Sequence, residues 1–164
     1  MKRHTKSEGR RAVARSPEQF ARDMKRLLEK HFGASEMKKE LRAYAGIAKE
    51  ERQKGIEQQR GPDGSSYAGL SEKTIKRKRA KGSKAPEKAL IDKGYLINPT
   101  ITSTSKEGKV VRPKSRDDII TYHDQGSGNL PRRKNWGIYP EAKKRIDKAW
   151  RLKVERFIKE LARG

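Results

Sequence analysis

The stretch TITSTSKEGKVVRPKSRDDIITY, Thr100 to Tyr122, decides how the chain divides between helix and sheet. Thr100-Ile101-Thr102-Ser103-Thr104, Lys109-Val110-Val111-Arg112 and Ile119-Ile120-Thr121-Tyr122 have the length and β-branched content of strands. Glu107-Gly108 between the first two reads as a hairpin turn, and Asp117-Asp118 as the next corner. On the N-terminal side, Leu90-Ile91 and Leu96-Ile97 are short apolar pieces of the same kind. On the C-terminal side, Gly126-Ser127-Gly128-Asn129-Leu130-Pro131 reads as a loop, and Leu130 to Ile138 as an edge strand or extended segment. These pieces predict a small, mainly antiparallel sheet from about 89 to 138.

Helical patterns flank this region. Ser16-Pro17-Glu18-Gln19 has a cap, a proline at the first helical position and a Gln that closes a capping box. Phe20, Met24, Leu27, Leu28 and His31 then share one face up to Phe32-Gly33. His31 reads as a helix-end histidine near the C-terminal dipole rather than as a ligand. Ser35 is the expected cap of a second helix carrying Met37, Leu41, Tyr44, Ala48 and Ile56 on a narrow stripe, so 16–58 is either a helical hairpin or one long kinked helix. Pro140 opens a last helix whose Ile146, Trp150, Val154, Phe157, Ile158 and Leu161 give the cleanest periodicity in the chain. The fold class expected is therefore α+β: an N-terminal helical pair, a small sheet and a long C-terminal helix. Residues 1–15 read as a disordered basic arm and 16–164 as one domain. Leu41, Tyr44, Trp150 and Phe157 are candidates for contact with other subunits.

The composition sets the frame for function. The chain has 164 residues, with 43 Lys and Arg against 21 Asp and Glu, a formal charge of +22. Leu, Ile, Val and Phe number only 27, below the roughly one fifth that marks a comfortable globular core. Such a chain folds with help from partners or from a polyanion, or is partly unstructured. No apolar run approaches the roughly 18 residues of a membrane span, and the N-terminus lacks the apolar segment of a signal peptide. These features lead to the expectation of a soluble protein made in a cytoplasm, without a membrane partner. There is no Cys, and the three His are dispersed, which argues against a zinc site and implies no cofactor.

Charge is uneven along the chain. The arm carries Lys2, Arg3, Lys6, Arg10, Arg11 and Arg15 against Glu8, and reads either as a nucleic-acid contact or as a solvated tail. The second helix is nearly balanced. From Glu72 to Lys84, by contrast, seven basic residues face one acid, behind a helix start at Ser71. This block reads as a localisation signal, a phosphate-binding patch or a solvated loop, with phosphate contact favoured by the overall charge. Lys76, Arg77, Lys78, Arg79, Lys81, Arg132 and Arg133 are the candidates to face phosphate or DNA. His123-Asp124 beside Asp117-Asp118 superficially resembles a metal-nuclease set, but the spacing assigns no geometric roles, and none of the common nucleotide-hydrolysis or hydrolase motifs occurs. The expectation is a protein that is not an enzyme.

Four segments in order carry a likeness to a known family: Gly61-Pro62-Asp63-Gly64-Ser65-Ser66-Tyr67-Ala68-Gly69-Leu70-Ser71-Glu72-Lys73-Thr74; Leu90 to Leu96 with Gly94; Tyr122-His123-Asp124-Gln125-Gly126; and Leu130-Pro131-Arg132-Arg133-Lys134-Asn135-Trp136-Gly137-Ile138. Over residues 60 to 150 this resembles the virion morphogenesis, or tail completion, proteins of tailed bacteriophages. The positions that match are Asp63, Gly64, Leu70, Thr74, Gly94, Leu96, Tyr122, His123, Gln125, Gly126, Pro131, Arg133 and Trp136. The chain departs from the pattern at Asp92-Lys93 and at Asp124, which interrupts the step from His123 to Gln125. The resemblance implies a structural virion protein of the head-tail neck, a homo-oligomeric ring, hexameric, around the DNA channel. It would contact connector, adaptor, tail-tube or terminator proteins and double-stranded DNA without sequence preference, and have no enzymatic activity or cofactor. The rival expectation is a non-sequence-specific nucleic-acid-binding protein of nucleoid or ribosomal type.

Overall fold

A computed structural model of the chain describes residues 16–91, 100–104, 108–112 and 117–163, with side chains described outside 100–120. The N-terminal arm, Leu96-Ile97, Gly94 and the Glu107 half of the expected turn lie outside the described residues.

Helix α1, Pro17–Phe32, starts where its local chemistry dictates. Ser16 Oγ accepts from the Gln19 N–H at 3.2 Å, and the Gln19 side chain accepts from the Ser16 N–H at 3.0 Å, so two otherwise orphaned donors are satisfied reciprocally. Gly33 alone separates α1 from α2, Ala34–Glu57. The second helix begins without a side-chain cap, ahead of the expected cap at Ser35. Gly33 donates to Glu29 O at 2.9 Å, ending α1, and accepts from Met37 N–H at 3.0 Å, opening α2, with its own ψ of 158° breaking the helix between them. A Cβ at position 33 would overlap the Glu29 carbonyl and carboxylate, which leaves room only for glycine.

The long C-terminal helix, Pro140–Arg163 and here α5, packs against both α1 and α2. Lys30 and His31 meet Glu160, Glu40 meets Lys153 at 2.8 Å, and Glu51 meets Arg145 at 2.6 Å. From the last turn of α1 and on along α2, the residue numbers of the partners on α5 fall, from 160 to 153 to 145. Helix α2 therefore runs antiparallel to α5, and the last turn of α1 meets the end of α5. The Phe32 ring fills the junction, with centroids 5.3 Å from Phe157 and 5.7 Å from Trp150. Trp150 and Phe157, expected at a subunit boundary, are thus engaged within their own chain; Phe157 is half-buried, while Trp150 keeps 40 % of its surface exposed. Leu41 and Tyr44 are half-buried on α2.

The α2 terminus is unusual. Arg60 N–H donates to Gly55 O at 2.8 Å and Gln59 N–H to Ile56 O at 3.1 Å, a Schellman closure with Gln59 at φ 58° where glycine is the usual occupant. The Gln59 amide explains the exception: it donates to Ala89 O at 3.0 Å and accepts from Ala89 N–H at 2.6 Å. That clamp brings Ala89 and Leu90 against Ile56 and Tyr67, a small apolar cluster flanked by Leu70 and Ile91. Leu90 takes φ 61°, so Leu90-Ile91 is a tight turn and not the expected strand.

The expected α+β architecture is not found. The described residues are mainly helical, and no larger sheet forms among them. Thr100–Thr104 (β1) pairs antiparallel with Gly108–Arg112 (β2) as a two-stranded ribbon that lies against α2. Ile119 to Tyr122 belongs to a helix, α4, Asp117–Gln125. The two aspartates read as a corner instead occupy its first turn, where carboxylates complement the helix dipole. Gly126, at φ 77°, closes it by donating to Tyr122 O at 2.9 Å. Residues 131–138 contain no strand and run as irregular chain across the end of α2. β-branched content was a weak indicator here because dipole complementation and a glycine stop favoured helix over the same residues.

The remaining helix, α3, Glu72–Ala80, starts as expected at Ser71, whose hydroxyl accepts from the Thr74 N–H at 3.4 Å.

Gly55 gives a test of the packing. It lies in α2 where alanine is ordinarily preferred by about 1 kcal/mol, yet a Cβ there would overlap the Tyr139 ring. Gly55→Ala should lower stability by about 1–3 kcal/mol, the typical cost of overpacking, as read by urea denaturation of the full chain.

Candidate functional site

Three of the four segments that carry the family likeness meet at one place, on the α2 end; most of the Leu90 to Leu96 segment lies outside the described residues. Asp63 shapes the turn after α2, accepting from the Ser65 N–H at 3.1 Å and the Ser65 hydroxyl at 2.6 Å, with Gly64 at φ 81°. These two bonds hold its carboxyl below the usual carboxylate range, helped more weakly by the Lys134 ammonium at 3.8 Å. Tyr67 follows, buried, its hydroxyl 3.3 Å from that of Tyr139, which donates onward to Arg60 O at 3.2 Å. Burial, then this hydrogen bond, pushes the Tyr67 phenol well up, so it is a neutral donor.

Arg133 ties three segments together. Its guanidinium donates to Ala68 O at 3.0 Å and Gly69 O at 3.1 Å, and its backbone N–H to His123 O at 2.6 Å. It is 3 % exposed. The expectation that Arg133 faces DNA is therefore corrected: carbonyls supplied by a distant turn take up its donors. Asn135, fully buried, donates its N–H to Asp124 Oδ1 at 3.0 Å and its side-chain amide to Arg133 O at 3.1 Å. Trp136 N–H donates to the same Asp124 oxygen at 3.2 Å. From α2, Arg52 reaches Asn135 O at 3.3 Å and Asn135 Oδ1 at 3.4 Å. Asp124, the residue that interrupts the family pattern, thus anchors the segment that follows.

The other matching residues among those described are placed as follows. Leu70 packs on the apolar cluster, and the Thr74 hydroxyl lies 3.0 Å from Ser71 Oγ. Gly126 closes α4; Gln125, Pro131, Tyr122 and Trp136 are exposed. Arg132 is exposed and donates to Asp124 O at 3.0 Å. Arg52 and Asn135 had no sequence signal: each is an ordinary polar residue until the fold brings them together across 83 positions.

His123 is half-buried on α4, and burial, then the Arg133 guanidinium, pushes it below 6.5. Among the described residues no group of three or more His, Asp or Glu is arranged to hold a metal ion. No helix among them is long and apolar enough to cross a membrane.

The basic block behaves differently from the hub. Lys78 is buried on the inner side of α3, and its ammonium donates to the carbonyls of Ala85 at 3.1 Å, Lys88 at 2.6 Å and Ile91. Lys78 is thereby also corrected as a phosphate-facing candidate. Lys76, Arg77, Arg79 and Lys81 are exposed, as are Lys73 and Lys84, and none pairs with an acid among the described residues. On α2 and α5, by contrast, Lys54, Arg145, Lys143, Lys144 and Lys153 all have carboxylate partners.

Scans against protein-family models, curated proteins and solved structures find no match to this chain.

Two measurements check the hub. Arg133→Ala removes two charge-assisted hydrogen bonds to the carbonyls of Ala68 and Gly69, worth roughly 1.5–3 kcal/mol each, and should lower the urea midpoint accordingly. His123, with a depressed folded-state pKa, takes up a proton more readily when unfolded, so its contribution is fully present above about pH 6.5 and is lost as pH falls through the folded value. Stability of the wild-type chain should decline more steeply between pH 7 and 5 than that of His123→Gln, followed by denaturation at each pH.

Proposed function

We propose that the chain is a structural virion protein of the bacteriophage head-tail junction, a tail-completion or neck protein that assembles as a ring and joins tail to head around the DNA channel. The observation that carries this reading is the convergence of the family-like segments. Asp63, Tyr67 to Gly69, His123-Asp124 and Arg133 to Trp136 lie far apart in sequence, yet hydrogen bonds and an ion pair knit them into one hub. A chance likeness scattered over loops would have no reason to concentrate there.

Apolar exposure supports a self-assembling chain. Phe20 and Leu28 on α1 and Leu152 and Ile158 on α5 are 42–56 % exposed. Such surface in a chain already poor in large aliphatics is the material of subunit contacts. The hub does not need to move for this role; it fixes the irregular segments that neighbouring subunits would meet.

Mass spectrometry of purified virions tests the reading. The expected result is incorporation at about a dozen copies or fewer per particle, with loss of the gene giving DNA-filled heads that fail to join tails. Absence from particles, together with a monomer or dimer that binds DNA or RNA tightly, would overturn it in favour of a nucleoid- or ribosome-type protein.

A further inference from the structure

We infer that the outer face of α3 and the loop at 81–84 form a preformed platform for the phosphate backbone of duplex nucleic acid. It deepens the neck-protein reading by locating where such a protein would meet DNA, although the surface chemistry is independent of where the protein resides.

At about 100° per residue, α3 divides into two faces. Thr74, Ile75 and Lys78 turn inward and are half-buried or buried, while Lys73, Lys76, Arg77 and Arg79 turn outward and are exposed. The loop adds Lys81 and Lys84. Six exposed cations thus share a short segment with one carboxylate, Glu72. Their like charges repel, and a solitary basic helix of this length would fray.

Two devices hold it in shape. Ser71 caps the N-terminus, and Lys78 folds the following chain back onto the helix by binding three of its carbonyls. Gly82, at φ 71°, makes the reversal, with Ser83 N–H donating to Lys78 O at 3.0 Å. One buried cation is spent on organisation so that the other six are presented from a rigid base. A platform already ordered loses less conformational freedom on binding than a basic tail would.

The residue types identify the ligand. Residues 72–84 contain no Asn, Gln or aromatic side chain, the groups that with Arg complete most base-edge recognition or that stack on unpaired bases. What remains suits phosphate contact, which positions without reading sequence. An acidic polypeptide would meet the same charges, but its carboxylates lack the regular close spacing of a duplex backbone.

The test uses the purified full chain and fluorescence anisotropy with two 30-base-pair duplexes of unrelated sequence. Both should bind alike, with log Kd rising linearly with log salt. The triple variant K76E/R77E/K81E should weaken binding by about 100-fold near 0.1 M salt and flatten the slope by about 3, close to one unit per lost phosphate contact. K148E/R151E/K159E makes the same charge change on exposed positions of α5, and should cost less than about 5-fold through the general field alone. Equal losses from both triples would overturn the platform, as would no loss from the first. Competition by polyglutamate as effective as by duplex, at equal charge, would also overturn it and assign the surface to an acidic protein. These results are independent of virion incorporation, so the platform and the neck assignment can fail separately.

Discussion

The structure depends on long cationic side chains buried with their donors satisfied by backbone carbonyls and carboxylates. Arg52, Lys78, Arg133 and Lys153 are each under a tenth exposed. In a chain with few large aliphatics, their methylene stems supply interior volume that Leu or Ile would supply elsewhere. The polar heads impose the condition. A buried cation without acceptors carries a heavy desolvation penalty, and burial does push both arginines toward losing charge. Each head therefore has to be met by acceptors brought in from other segments, and the path of the chain between elements follows from that requirement.

This accounts for the division of the molecule into two kinds of surface. Along α2 and α5 several cations are paired with carboxylates, within a helix or across to the other, with Lys153 held by Glu40 and also 5.8 Å from the Phe32 ring centroid. Exposed pairs of this sort add little stability singly, and α5 still keeps exposed cations such as Lys148, Arg151 and Lys159. On α3 the acceptors are carbonyls, which satisfy hydrogen bonds without cancelling charge. The positive charge of the short helix is consequently left undiminished.

Helix starts were legible where one or two neighbouring residues determine them. Ser16 with Gln19, Ser71 with Thr74, and Pro140 all act within a single turn, so local sequence contains the whole cause. The strand reading failed at Leu90-Ile91 and Ile119 to Tyr122 because β-branched residues are compatible with several backbones, and the choice was made elsewhere. For Leu90 it was made by Gln59, thirty residues upstream of Ala89. For Ile119 and its neighbours it was made by the two aspartates ahead and the glycine behind, residues that fit a corner equally well. In the hub, Asp63 and Gly64 could be read as a turn, whereas Arg133 and Lys78 were read as surface cations because nothing local distinguishes an arginine in water from one facing distant carbonyls.

The three carbonyls around Lys78 also bear on which substitutions the position tolerates. An ammonium carries its three protons in a pyramid and can serve three acceptors set around one point. A guanidinium spreads its donors in a plane and suits acceptors arranged in a line or fork. Arginine at 78 would therefore keep the charge yet mismatch the cage, although Arg and Lys alternate freely along the rest of that helix. Its identity is set by solid geometry, while its neighbours answer only to sign.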